Sequence, residues 1–168
     1  LAVGAQWSSG IDDTTYAGDV HLFSFDDLSF TNPTHAASIG VGYTGLNDLN
    51  LTGVLDADDQ FGSSVSLDGH RLAVGAEWAD GFNSSLNASG EVYLFTFDDD
   101  TYSNLTLAAT VGSGYTGNNN LDLSLVLNSS DFLGTSISLD GLGLAIGAYG
   151  DDGGTSALTN SGAVYIIT

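Results

Sequence analysis

The sequence predicts an all-β protein made of tandem repeats about 72 residues long, each folding as a four-stranded antiparallel sheet. Three observations carry this expectation. Leu1-Ala2-Val3-Gly4-Ala5 returns as Leu72-Ala73-Val74-Gly75-Ala76 and again as Leu144-Ala145-Ile146-Gly147-Ala148, at spacings of 71 and 72 residues. Three further blocks keep the same phase. Phe61-Gly62-Ser63-Ser64-Val65-Ser66-Leu67-Asp68-Gly69 pairs with Leu133-Gly134-Thr135-Ser136-Ile137-Ser138-Leu139-Asp140-Gly141. Gly90-Glu91-Val92-Tyr93-Leu94-Phe95 pairs with Gly18-Asp19-Val20-His21-Leu22-Phe23 and with Gly162-Ala163-Val164-Tyr165-Ile166-Ile167. Gly42-Tyr43-Thr44-Gly45 recurs as Gly114-Tyr115-Thr116-Gly117. Finally, no segment holds an apolar face at helical spacing over three turns, whereas alternation of period two is plain.

The strands follow in order within a repeat. Ser64-Val65-Ser66-Leu67 and Ser136-Ile137-Ser138-Leu139 alternate small polar with aliphatic residues, the pattern of a half-buried strand. Asp68-Gly69 and Asp140-Gly141 supply a tight hairpin turn, and the second strand runs from Leu72 to Ala76. After a variable loop, Val92 to Phe97 is a β-branched and aromatic run that fits a sheet. A loop carrying Asp98-Asp99-Asp100 leads to the fourth strand, Leu107 to Val111. Leu121 to Leu127, matched by Leu49 to Leu55, is an optional fifth strand.

Phe61-Gly62-Ser63-Ser64-Val65, followed by Leu72-Ala73-Val74-Gly75-Ala76 and Gly90-Glu91-Val92-Tyr93-Leu94-Phe95, resembles the FG-GAP repeat of integrin alpha-subunit propellers and of bacterial secreted repeat proteins. The resemblance implies that each repeat is a β-propeller-like blade. A linear β-solenoid-like stack is the alternative, because both architectures bury period-two strands between neighbours. The family's calcium loop between the first two strands does not carry over. Here that turn is Leu67-Asp68-Gly69-His70-Arg71 or Leu139-Asp140-Gly141-Leu142-Gly143, too short and too poor in oxygen ligands for the cation.

Charge excludes several functions. Twenty-one acidic residues face a single basic one, Arg71, for a formal net charge of −20. Such a surface repels nucleic acid and anionic membranes and attracts cations. No stretch approaches the length of an apolar membrane span, so membrane insertion is not expected. Cysteine and methionine are both absent, leaving stability to packing, hydrogen bonds and ions. Five Asn-X-Ser/Thr sequons, at Asn50, Asn83, Asn87, Asn104 and Asn128, are glycosylation candidates. With the scarcity of basic residues, they place the chain outside the cell or on its surface.

Carboxylates on Gly-rich loops provide the hard oxygen ligands that calcium needs. The candidates for Ca2+ are Asp56, Asp58 and Asp59, then Asp98, Asp99 and Asp100, then Asp151 and Asp152 before Gly153-Gly154. Asp12-Asp13 with Asp19 is a further acidic cluster. The sequence points away from an enzyme. His21, His35 and His70 fall in different contexts and none repeats, which gives no basis for a metal site or a Ser-His-Asp triad. Trp7 and Trp78 occupy equivalent positions and are expected to cap the core between units, with stacking on sugars as the alternative. Tyr43 and Tyr115 are expected to anchor their turns.

A single array spans 1–168, with units at approximately 1–60, lacking the first strand, 61–132, complete, and 133–168, lacking the last strand. A propeller closes with about four blades or more, so the expectation is that subunits complete one another head to tail. A heterologous contact whose rotation does not close makes a filament. The expected function is an extracellular structural protein, a subunit of a filament or surface layer. The alternative is part of a large secreted adhesin whose closed propeller binds a carbohydrate or protein ligand, with calcium.

Overall fold

In a computed structural model the chain is described over residues 1–117, 119–153 and 158–168. Its strands, in chain order, are β1 (Ala2–Ala5), β2 (Asp19–Ser24), β3 (Thr34–Gly40), β4 (Leu49–Asn50), β5 (Phe61–Asp68), β6 (Arg71–Ala76), β7 (Glu91–Thr96), β8 (Thr106–Gly112), β9 (Leu121–Asp122), β10 (Leu133–Asp140), β11 (Gly143–Ala148) and β12 (Ala163–Ile167). They form three sheets of order β1-β2-β3-β4, β5-β6-β7-β8-β9 and β10-β11-β12. No helix occurs among the described residues. The all-β expectation and the blade-like antiparallel meander are therefore what this sequence folds into.

Each meander is antiparallel between neighbours in sequence, as hairpin connections dictate. The first turn differs by one residue from the expectation. Asp68 pairs with Arg71 and Asp140 with Gly143, so the loops are Gly69-His70 and Gly141-Leu142, with Gly69 and Gly141 both at φ +54. The fifth strand is also shorter than expected. Only Leu49–Asn50 and Leu121–Asp122 pair, in parallel, with β3 and β8. The Asn50 side-chain oxygen accepts from the amides of Gly42 and Thr52, and Asp122 does the same for Gly114 and Ser124. These side chains mimic a backbone turn and curl the chain. The next residues then bury Leu51, Leu55 and Leu127 rather than extend the ladder.

The sheets pack face to face through alternating side chains. One face of the middle sheet, with Leu72, Val74, Tyr93 and Phe95, meets Val20, Leu22 and Ile39 of the first sheet. Its opposite face, with Ala73 and Val92, meets Leu133, Leu144 and Ile146 of the third. Burying each such aliphatic or aromatic side chain is worth roughly 1.5–3 kcal/mol.

Glycine sets how closely the sheets approach. A β-carbon at Gly75 would fall inside the van der Waals envelope of the Gly134 carbonyl oxygen, and one at Gly4 would meet Gly62 in the same way. Phe61 and Leu133 then bridge in parallel to Gly18 and Gly90 of the preceding sheet. The repeated hydrophobic-Gly and Leu-Ala-Val/Ile-Gly-Ala motifs are thus the two halves of one inter-sheet contact.

Candidate functional site

Against the second sheet, beside the 53–59 segment that leads into it, lies a cavity of about 590 Å³ that gathers Asp56, Asp59, Asp80, Glu91, Tyr93 and Tyr115. Glu91 opens β7 opposite Ala76, and its side chain is buried. Its Oε2 accepts from the Tyr93 and Tyr115 hydroxyls, the latter at 2.8 Å. Burial pushes the Glu91 carboxyl above the usual carboxylate range, against the pull of those two donors. The tyrosine hydroxyls rise as well, from burial and then from the neighbouring carboxylate. Asp59, also buried, accepts from the Asp56 amide at 2.8 Å. Desolvation pushes its carboxyl up to about 7, with Glu91, Asp56 and Asp80 adding repulsion. At about 7 the Asp59 carboxyl changes charge near neutral pH, and an acidic cavity of this kind attracts cations.

The buried acid with a tyrosine donor recurs along the array. Asp19 accepts from Tyr43 at 2.7 Å and from Ser8 at 2.6 Å. Asp151 accepts from Tyr165 at 2.6 Å. Tyr43 and Tyr115 anchor their turns by reaching these carboxylates. Asp131, matching Asp59, accepts from the Asn128 amide at 2.7 Å and is likewise raised by burial.

The sequence-predicted cation ligands scatter. Asp56 and Asp59 reach the cavity, while Asp58 is exposed with φ +68. Asp99 closes the turn after β7, accepting from the amides and hydroxyls of Thr101 and Ser103, which holds its carboxyl far below the usual range. Asp98 accepts from Asn104, and Asp100 is fully exposed, 3.4 Å from His70. Asp26 and Asp27 make the corresponding turn in the first sheet. Asp151 and Asp152 accept from the amides of Gly153 and Asn160, and Gly154 lies outside the described residues. Among the described residues, no three carboxylate or imidazole groups converge as a metal site.

The histidines are less separate than the sequence suggests. The rings of His21 and His35 lie 5.6 Å apart, and both contact the Ser38 hydroxyl, at 3.2 and 3.0 Å. His21 also lies 3.3 Å from Asp19. The string has the order Ser-His-Asp, but Ser38 is buried and gives its own amide to Asp48. That leaves Ser38 without an oxyanion donor of its own.

Trp7 and Trp78 are 62% and 44% exposed, so neither is a buried cap. Trp78 packs on Phe132 at 5.1 Å, and Phe132 stacks on Tyr149 at 4.8 Å, across the boundary between the second and third sheets. Trp7 meets Tyr16 edge-on at 5.6 Å. The five sequon asparagines are all exposed. The Nδ2 groups of Asn87 and Asn104 are engaged by Asp80 and Asp98.

Sheets of this topology, locked by glycine contacts at a fixed period, define a protein of repeated propeller-blade-like units. The FG-GAP repeat model matches residues 55–95 and 127–167, and these two stretches are FG-GAP repeats. No curated protein matches the chain significantly. Glu91, Tyr93 and Tyr115 were not legible as one cluster, although the acidic residue after the glycine in Gly18-Asp19 and Gly90-Glu91 was the signal that could have marked them.

Proposed function

We propose that this chain is an extracellular structural protein, a head-to-tail subunit of a filament or surface layer assembled through open β-sheet faces. The observation that carries the reading is the outer face of the third sheet. Val164 and Ile166 are each 67% exposed there, whereas Val92, at the position equivalent to Val164 in the middle sheet, is fully buried under its neighbour. Contiguous exposed apolar surface of this kind marks a contact with another protein. The exposed sequons, the missing sulfur residues and the single basic residue support an extracellular setting.

A net charge of −20 opposes association between copies, and salt screens that repulsion. Sedimentation velocity over a range of protein concentration and sodium chloride tests the reading. Mass should grow with both, and a monomer at every concentration and ionic strength overturns it. Intact mass of native material tests the sequons, since glycosylated chains are heavier than the sequence.

A second reading is a ligand-binding module of an adhesin. The Trp78-Phe132-Tyr149 cluster favours it, because its exposed Trp78 and Tyr149 offer amphipathic aromatic surface on which a sugar can stack. Retention on a glycan array, lost in Trp78→Ala, would support that reading.

A further inference from the structure

The 590 Å³ cavity beside Glu91 is walled by the 53–59 segment, the 80–83 loop, β7, β8 and the turn that carries Tyr115, all interior to the sequence. Its volume falls within the roughly 300–1,000 Å³ of sites for small organic molecules. Its charge is one-sided. Asp59 and Glu91 are its deep acids, 6% and 2% exposed, while Asp56 and Asp80 are the more accessible ones. No base joins them. The single arginine, Arg71, pairs with Asp68, and none of the three histidines lines the cavity.

Two of these acids find donors within the protein. Glu91 Oε2 takes the Tyr93 and Tyr115 hydroxyls, and Asp80 Oδ1 takes the Ala88 amide at 2.7 Å. Asp59 is only half satisfied. Its Oδ2 accepts from the Asp56 amide, but its Oδ1 accepts from no described group and is not sealed by packing, so it opens on the cavity. A carboxylate oxygen withdrawn from bulk water and given no donor is costly unless a donor from outside meets it. The rest of the wall includes Val54, Leu107, Phe82 and Tyr115, the last two with their rings 5.5 Å apart.

The acids do not suit a compact metal ion, because among the described residues no three carboxylates or imidazoles converge on one point. Spread acids with apolar and aromatic wall between and around them match a cation whose charges are themselves separated by methylene groups. Ammonium groups donate to the carboxylates, the alkyl chain covers aliphatic wall, and the aromatic rings attract the charge. We propose that this cavity binds a linear organic polyamine, with Asp59 Oδ1 and Glu91 as its inner anchors, Asp56 and Asp80 as its outer ones, and Phe82 and Tyr115 as its aromatic wall. The site stands whether or not the chain assembles.

Binding is coupled to protons. Asp59, at about 7, faces Asp56 of its own segment, Asp80 of the loop after β6, Glu91 and Tyr93 of β7, and Tyr115 of the turn after β8. An ammonium group favours the ionised form of Asp59, so affinity rises as pH climbs through 7. The ionised fraction of such a group grows about tenfold between pH 6 and pH 8, and affinity grows with it. Exposed carboxylates of ordinary pKa are ionised throughout that range and give no such rise.

Isothermal titration calorimetry of spermidine into the 168-residue chain, at pH 6 and pH 8 in about 0.15 M sodium chloride to screen surface charge, tests the site. The expected result is one saturable site per chain, about tenfold tighter at pH 8 than at pH 6. Asp59→Asn should weaken binding about tenfold or more at pH 8 and flatten its pH dependence. Asp58→Asn, an equal loss of charge on the exposed neighbour, should change it by less than about twofold. Phe82→Ala, at a half-exposed position, is the second variant should Asp59→Asn unfold, and should weaken binding about threefold. No binding, many weak sites, equal affinity at the two pH values, or equal effects of Asp58→Asn and Asp59→Asn would overturn the proposal. Calcium chloride displacing spermidine one for one would overturn it in favour of a metal ion.

Discussion

Replacing Asp59 by asparagine should make the protein more stable at pH 8 and flatten its pH dependence. The Asp59 carboxyl is pushed from 3.8 up to about 7, chiefly by burial. A carboxyl whose pKa is raised on folding binds its proton more tightly when folded. The stability linked to it is therefore fully present below its unfolded pKa and is lost as pH rises towards 7. A shift of about three units at 1.36 kcal/mol each amounts to roughly 4 kcal/mol across that window. The asparagine side chain would keep an oxygen for the Asp56 amide and carry no charge into the cavity. Glu91 is raised in the same direction, and acid also relieves the net charge of −20, so wild type and variant both gain stability on acidification. The difference between them isolates Asp59. Urea unfolding at pH 4, 5, 6, 7 and 8 gives that difference, which should grow by up to roughly 4 kcal/mol between the acid and alkaline ends. A constant difference across pH would refute the assignment of a buried, raised carboxyl.

Other expectations follow from the same geometry. Gly75→Ala forces a methyl group against the Gly134 carbonyl and should cost about 3 kcal/mol, whereas Gly147→Ala should cost under about 1 kcal/mol; thermal melts of the two variants check this. Tyr115→Phe removes one of two hydroxyl donors to buried Glu91 and should cost about 1–2 kcal/mol in urea unfolding. Asp99 should titrate well below the usual carboxylate range by NMR, and its turn should loosen only as pH falls through that low value, because its folded pKa is depressed.

The repeat phase was legible because inter-sheet packing demands it. Gly4 and Gly75 each admit the backbone of the next sheet, so the Leu-Ala-Val/Ile-Gly-Ala string returns wherever a sheet receives a neighbour. The fifth strand is shorter than the pattern suggests because Leu121 to Leu127 looks like alternation, while the Asp122 side chain bonds two nearby amides and ends the ladder. The Asp98-Asp99-Asp100 run reads as ligand material, but a carboxylate two residues before Thr101 finds its donors locally. Glu91 escapes a sequence reading for the opposite reason. A single acid opening an apolar strand leaves only the weak echo of Gly18-Asp19 in Gly90-Glu91, and its partner Tyr115 comes from a turn 24 residues away. His21 and His35 meet only because β2 pairs with β3.

Assembly through open sheet faces is tested most directly by electron microscopy of native, unrefolded material. Continuous fibres or sheets, with an axial repeat matching one subunit, are the predicted result. Dispersed monomers or discrete closed rings would contradict it and turn attention to the loops as a ligand-binding face.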